Sequence, residues 1–503
     1  MHQLLPNIPA QLNDTLSSLK LFMPELYLAG LFLIVLVTGL VYAKNAAAMC
    51  RIIAVIGMVA VIAQDVVQLL AAKSTGGADL RLFGDMLRLA PVSVVFKLII
   101  DVIAVLLLLY FAWDKQLKAH KKGLSDLYTI TIASLLGLHL MVMAINLLSI
   151  YLAIEFVSLA SYLMVAYKAE QGASAGAGLK YVLFGAASSA VMLYGISLIY
   201  AFCGTTDIFT PQFIDGLAKI NSLSVSLALV LVFAGIGFKL SFIPMHFWVP
   251  DVYQGAATPV TAYLSTLPKI AGFALLVNFI TPFIFIPGWQ GFDLRLFFAV
   301  IGLVTMIAGN FAAVMQQKTK RMLAYSSVGH TGFALMAIVT FTGQGIVALS
   351  FYLAVYALAN IGALILASYF ANVTGAENMG DYKGLGFKLP AASVCFVIIL
   401  ISLTGLPVTA GFIGKVMVFQ AVYEVYQAAG HNIWLLLLMV TGALTTVVAL
   451  FYYIKIPLYL FLRKSDDNHE YVVSNPSLLV AVVIITVLLV GLGLFPNILV
   501  KWL

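Results

Sequence analysis

Apolar runs of about twenty residues, the length a helix needs to cross a bilayer, recur along nearly the whole chain. The pattern predicts about fourteen spans, the first seven at approximately 21–43, 50–72, 92–112, 127–146, 148–167, 177–202 and 224–248. The rest follow at approximately 257–281, 292–316, 320–342, 345–371, 390–427, 432–462 and 477–498. With 63% hydrophobic and 9% charged residues among 503, a soluble globular fold is excluded. The expected fold class is an all-α polytopic membrane protein, one transmembrane domain over 1–503.

The polar connections near 73–91, 203–223 and 372–389 are too short for enzymatic modules and hold no glycine-rich nucleotide loop. Cys50, Cys203 and Cys395 lack metal-ligand or disulfide spacing, which leaves them as packing residues. No catalytic residue, metal or cofactor is therefore expected on this chain; any redox group would belong to a partner. The stretch "LFMPELYLAGLFLIVLVTGLVY" has neither the basic flank nor the small-residue cleavage site of a signal peptide and reads as the first span.

Basic residues set the orientation. Loops after odd-numbered spans carry Lys44, Arg51, Lys115, Lys118, Lys121, Lys122, Lys168, Lys180, Lys318, Lys320, Arg321, Lys383, Lys388, Arg463 and Lys464. Loops after even-numbered spans carry only Lys73, Arg81, Arg88, Lys219 and Arg295. The positive-inside rule puts the first set in the cytoplasm and both termini on the outer, periplasmic side. The net charge of +7 is mostly this bias, and no basic stripe on a soluble face points to nucleic acid.

Ionisable residues near the middle of spans are few: Glu155 on the fifth, Lys239 on the seventh, Lys269 on the eighth and Lys415 on the twelfth, with His330 on the tenth. Charge at that depth must face a partner or a water-filled cavity, and such residues line ion and proton routes. Lysine suits a relay because its proton affinity responds to burial and to a neighbouring carboxylate. Glu155 is read as the mid-span carboxylate available to Lys239, the bland alternative being a static ion pair that fixes helix packing. Lys269, roughly 18 Å into its span, is beyond snorkelling reach and should be internal. His330, amid Tyr325, Ser326, Ser327 and Thr331, and His246 in "IPMHFW" are candidate relay groups or hydrogen-bonded packing residues. Lys97 and Asp101, spaced i, i+4, are expected to neutralise each other, with Asp65 and Glu424 near the membrane interface.

Two spans pair a lysine with a proline break: "GFKLSFIP" with Lys239 and Pro244, and "GLPVTAGFIGK" with Pro407 and Lys415. They lie five spans apart, an odd offset that reverses orientation, which is the signature of inverted repeats with ion sites at broken helices. The candidate units are approximately 127–281 and 292–462. A proline frees carbonyls at membrane depth, so polar groups must gather at each break.

"GFKLSFIPMHFWVPDVYQGAATPV" resembles the signature of the antiporter-like membrane subunits shared by respiratory complex I, the chloroplast-type dehydrogenases and multi-subunit cation/proton antiporters. "AIEFVSLASYLMVAY", "GLKYVLFGAASSAVMLYG", "KRMLAYSSVGHTGF" and "GLPVTAGFIGK" fall in that family's order across the chain. The "PDVYQGA" form and Lys415, where the subunit M branch has glutamate, are similar to the subunit N (subunit 2) branch of bacterial NADH-quinone oxidoreductases. The end at Leu503 differs from the longer subunit L branch. The resemblance implies a proton-transfer axis of Glu155, Lys239, Lys269 and Lys415, and coupling to quinone reduction elsewhere in the complex. It implies FMN, iron-sulfur clusters and quinone in partner subunits, antiporter-like subunits M and L and a peripheral arm as partners, and residence in a bacterial inner membrane. The rivals are a subunit of a cation/proton antiporter without a redox partner, and a structural subunit with an inactive relay.

Overall fold

The computed structural model describes residues 8–42, 46–74, 79–118, 120, 123–286, 289, 291–464 and 476–503; Lys44, Lys121 and Lys122 of the orientation argument lie outside them. Spans 1 to 6 are Met23–Val41, Ala46–Ser74, Pro91–Trp113, Ser125–Met143, Leu147–Val165 and Gly172–Cys203. Span 7 is Ser222–Leu240 followed, after a break, by Val249–Gly255. Spans 8 to 11 are Thr258–Phe285, Leu294–Val314, Thr319–Ile338 and Gly343–Thr374. Span 12 is Pro390–Thr404 and Ala410–Ala428, span 13 Ile433–Leu462 and span 14 Pro476–Leu494.

Twelve of the described helices are individually long and apolar enough to cross a membrane. The two spans outside that set are informative. Span 12 is divided by its break, and span 10 is polar for its length, with Ser326, Ser327, His330 and Thr331 all buried. A helix that spends membrane depth on hydroxyls and imidazole must face protein rather than lipid.

Burial orders the spans from the centre outward. The most apolar stretches of spans 8 and 11 are 89% and 94% buried, whereas those of spans 2 and 13 are 28% buried. Spans 8 and 11 are thus the middle of the molecule, and Lys269 sits on one of them. Outside the spans, an unpredicted helix Ile8–Leu21 docks on a two-stranded hairpin, Leu80–Leu82 with Leu87–Leu89. Ser18 Oγ and Asp14 Oδ2 accept from the amides of Phe83 and Gly84 at 2.9 and 3.0 Å, tying that helix to the hairpin turn.

Each break is closed by protein. The first half of span 7 ends at Ser241, whose backbone is left-handed at φ 64°, three residues before Pro244. Phe242 N–H then donates to Gly237 O at 3.2 Å, Trp248 Nε1 to Phe238 O at 3.2 Å, and Thr331 Oγ1 to Leu240 O at 2.8 Å. Ile243 N–H finds Thr305 Oγ1 at 3.1 Å. In span 12 the turn falls on Gly405 at φ 83°, where a side chain would be strained and an added Cβ would meet Lys415 Cδ at 2.6 Å. Pro407 lies inside that break, between Gly405 and Thr409. The gathering of polar groups expected at the breaks is in part side chains from spans 9 and 10.

Spans 9 and 10 approach through small residues, as membrane helices do when backbone contact holds them. A Cβ on Gly309 would lie 2.5 Å from the amide nitrogen of Gly329 and 2.9 Å from its Cα. Neither atom is the end of a flexible side chain. Gly309→Ala should therefore push the two helices apart and destabilise the protein by about 1–3 kcal/mol, as overpacking does. A lowered thermal midpoint in detergent checks this, and an unchanged midpoint would contradict the close approach.

Candidate functional site

Span 10 organises the polar interior. Its one face presents Ser327, His330 and Thr331, spaced for adjacent turns of a helix. Lys269, arriving from span 8, donates to Ser327 O at 2.9 Å, Ser327 Oγ at 2.7 Å and Thr331 Oγ1 at 2.9 Å. Those three acceptors use all three ammonium hydrogens. Tyr356 of span 11 donates to Ser327 Oγ at 2.8 Å, and its ring centroid is 4.8 Å from that of His330.

From His330 the polar line continues to span 12. Nδ1 of His330 is 2.6 Å from Tyr352 Oη, and Nε2 is 3.3 Å from Tyr453 Oη, which also bonds Ser326. Two small cavities, about 20 and 10 Å³, are both bordered by His330, Tyr352 and Lys415. The larger is the size of a single water site and has Thr446 and Asn310 on its wall. Lys415 donates to Thr404 O at 2.8 Å, a carbonyl of the helix half before the break, and to Thr446 Oγ1 at 3.0 Å. Lys269 and Lys415 thus flank one set of hydroxyls and imidazole, whose parts are joined by the Tyr356–His330 ring contact and by the two cavities between His330 and Lys415.

Lys239 occupies the last turn before the first break and is buried. Its Nζ has no hydrogen-bond partner among the described residues. Glu155, half-buried on span 5, is bonded by Ser189 Oγ of span 6. No ion pair joins Glu155 to Lys239 among the described residues. A stack of Tyr181, Phe238 and Trp248, with centroids 4.6 to 5.6 Å apart, walls the break instead. His246 is half-buried beside Phe247, and its Nδ1 has no hydrogen-bond partner among the described residues.

The sequence reading missed a second polar cluster on spans 1 to 4. Lys97 Nζ lies 2.8 Å from Glu25 Oε1 and 2.8 Å from Asp65 Oδ1, and donates to Gln68 Oε1 at 3.0 Å. His139 bridges Glu25 Oε1 at 3.0 Å and Asp101 Oδ1 at 2.9 Å. The expected Lys97 to Asp101 pair does not form, because partners on three other helices meet that face first. Asp65 is fully buried and not interfacial, since its helix runs on to Ser74. Glu155 is accordingly not the sole carboxylate at membrane depth. Repeated acids in spans 1 to 3 were the available signal.

The loops after spans 5, 9 and 11 converge with the starts of spans 6 and 10 on one face, where Lys168, Lys180, Lys318, Lys320, Arg321 and Asp251 border a cleft of about 560 Å³. Asp251 receives Lys180 Nζ at 2.5 Å and Arg321 at 2.9 Å.

This is a polytopic membrane protein with buried lysines on two interrupted helices, spans 7 and 12, and on the central span 8. Residues 144–446 match the family described as NADH:quinone oxidoreductase/Mrp antiporter, transmembrane, and the chain belongs to that family. It is 38% identical over 457 residues to NADH-quinone oxidoreductase subunit N 2 of Chloroherpeton thalassium, covering 89% of this chain and 86% of the relative. It is 34% identical to subunit N of Chlorobium chlorochromatii, covering 90% and 88%. In respiratory complex I of Thermus thermophilus a chain superposes with a TM-score of 0.77 at 28% identity, over 95% of this chain and 98% of that one. A chain of an archaeal membrane-bound sulfane sulfur reductase shares the fold, with a TM-score of 0.81 at 22% identity over 95% and 96%.

Asp251 stands on the basic cleft, beyond the apolar stretch Ser222–Leu240 that crosses the membrane, and hydrogen bonds from Lys180, then Arg321, hold its carboxyl below the ordinary aspartate range. Its contribution to stability is complete above that ordinary value and is lost as pH falls through the lowered one. Asp251 is a third exposed, so the effect is small. Thermal midpoints of wild type and Asp251→Asn should differ at neutral pH and converge on acidification; a difference that grows in acid would reverse the assignment.

Proposed function

We propose that this chain is a proton-translocating membrane subunit of a bacterial NADH-quinone oxidoreductase. The observation that carries this reading is the hydroxyl and imidazole run from Lys269 through Ser327, Thr331 and His330 to Lys415, in a chain whose relatives are named subunit N. Lys239 stands at the neighbouring break, and Thr331 hydrogen-bonds both Leu240 and Lys269. Glu155, Lys239, Lys269 and Lys415 are the proton-transfer groups in this proposal, with His330 between the last two and His246 as a further relay group.

A lysine ammonium that loses a proton keeps its place but loses its charge, so each step changes the field felt by the next buried lysine. Serine, tyrosine and histidine between them both donate and accept, which lets a proton pass without either lysine moving far. Electron transfer from NADH to quinone takes place in partner subunits that hold FMN, iron-sulfur clusters and the quinone site. The partners include antiporter-like subunits M and L. The two interrupted spans, 7 and 12, support inverted units near 127–281 and 292–462. The basic face with the 560 Å³ cleft is the cytoplasmic one, and both termini are periplasmic.

Lys239→Ala in the assembled complex should lower NADH-driven quinone reduction and proton uptake together, severalfold, in membrane vesicles. If both rates persist in a correctly assembled complex, Lys239 is a packing charge and the relay reading fails at that residue. If the chain assembles without any NADH-oxidising partner and still exchanges cations for protons, the antiporter reading replaces this one.

A further inference from the structure

The cluster on spans 1 to 4 lies before residue 144, where the family match begins, and nothing in the lysine line uses it. Its five ionisable members, Glu25, Asp65, Lys97, Asp101 and His139, are all within 1% of complete burial. They form a ring. Asp65 touches Lys97, Lys97 touches Glu25, Glu25 touches His139 and His139 touches Asp101, at 2.8 to 3.0 Å. The ring closes because ligand atoms of Asp65, Asp101 and His139 lie within 4.8 Å of one another.

Counting hydrogens fixes the charge. Where each carboxyl turns an acceptor oxygen to it, an imidazole between two of them donates from both nitrogens and is an imidazolium, and a proton on the other oxygen of Asp101 leaves that arrangement intact. His139 and Lys97 then supply two positive charges against three carboxylates. One negative charge remains, at a depth where an isolated ionised carboxylate is neutralised rather than tolerated. The surplus has an address. Asp65 Oδ2, Asp101 Oδ2 and Glu25 Oε2 are buried oxygens without a hydrogen-bond partner among the described residues, and Asp65 Oδ1 has only its ion pair with Lys97. Glu25 already meets both cations through its other oxygen, whereas Asp65 and Asp101 meet one each and have carboxylate oxygens within 4.8 Å of one another. Two buried carboxyls that close do not both ionise, so one of them holds a proton.

We propose that Asp65 and Asp101 bind one proton between them, making spans 1 to 4 a second protonation site, separate from the lysine line. A metal ion suits the site less well, since both nitrogens of His139 are already turned to carboxylates and Lys97 stands beside Asp65. Among the described residues, no other ionisable group is bonded to these oxygens from the helices packed on the cluster. Span 8 approaches span 4 with Asn278, which donates to Val142 O, and with Tyr263, bonded to Ser134. Lys269 on the same span is committed to span 10, and on span 5 Glu155 is bonded by Ser189 of span 6. Span 11 meets span 3 at Tyr110, which donates to Leu364 O at 2.9 Å, and at Asp114, which accepts from Ser368; both lie further along than Asp101.

The test is infrared spectroscopy of the full chain in its assembled complex. The wild type should show the C=O stretch of a buried protonated aspartic acid, identified by its shift to lower frequency on ¹³C labelling of aspartate carboxyls. Asp65→Asn and Asp101→Asn should each remove one acid's intensity, and Asp65→Glu should move the band without abolishing it. An identical band in both asparagine variants overturns the proposal. So does the lack of any aspartic acid band in the labelled wild type, a result that needs no variant to fold. A wild-type band that disappears on adding sodium chloride but not choline chloride assigns the site to sodium ion and overturns the proton assignment.

Discussion

Lipid supplies no hydrogen-bond partner, so every carbonyl released where a spanning helix stops must be met by protein or water. The break after Leu240 shows what this requirement builds. Trp248 folds back onto Phe238 O, Thr331 reaches across from span 10 to Leu240 O, and Thr305 of span 9 takes the Ile243 amide. Span 10 has to be polar and close for this to work, and spans 9 and 10 have to touch through glycine for span 10 to be close. Lys269 then finds acceptors on the same face that closes the break. The polar line follows from the backbone's needs as much as from the lysines.

That dependence explains what could be read from the chain alone. A lysine inside an apolar run is visible without any partner, because the cost of burying it is independent of where its neighbours come from; Lys239, Lys269 and Lys415 all emerged that way. Prolines 244 and 407 were visible because proline cannot continue a helix, although the helices stop earlier, at Ser241 and Gly405. What could not be read was pairing across helices. Lys97 and Asp101 satisfy the i, i+4 rule on one helix, yet in the fold Lys97 meets acids from spans 1 and 2, and Asp101 meets a histidine from span 4. A local rule supplies a few tenths of a kcal/mol at a helix surface. Buried partners with no water to compete decide the geometry instead.

The two clusters also differ in kind. Around Lys269 and Lys415 the acceptors are neutral hydroxyls and carbonyls, so each lysine's charge is free to act on its neighbours. In spans 1 to 4 acids and bases alternate from Asp65 through Lys97, Glu25 and His139 to Asp101, and two acids stand side by side where the ring closes. The first arrangement suits propagation along the membrane plane. The second suits holding a proton in one place.

Thr331 carries one hydroxyl hydrogen and three neighbours. Its oxygen accepts from Lys269, while its hydrogen has two carbonyls in reach, Leu240 O at 2.8 Å and Ser327 O at 3.1 Å. It can serve only one of them at a time. When the hydrogen points to Leu240 it clasps the end of the helix that carries Lys239; when it points to Ser327 that end is let go. The rotation of that one hydrogen thus decides whether a carbonyl of the Lys239 helix or one of span 10 itself is met, at an oxygen 2.9 Å from the Lys269 ammonium.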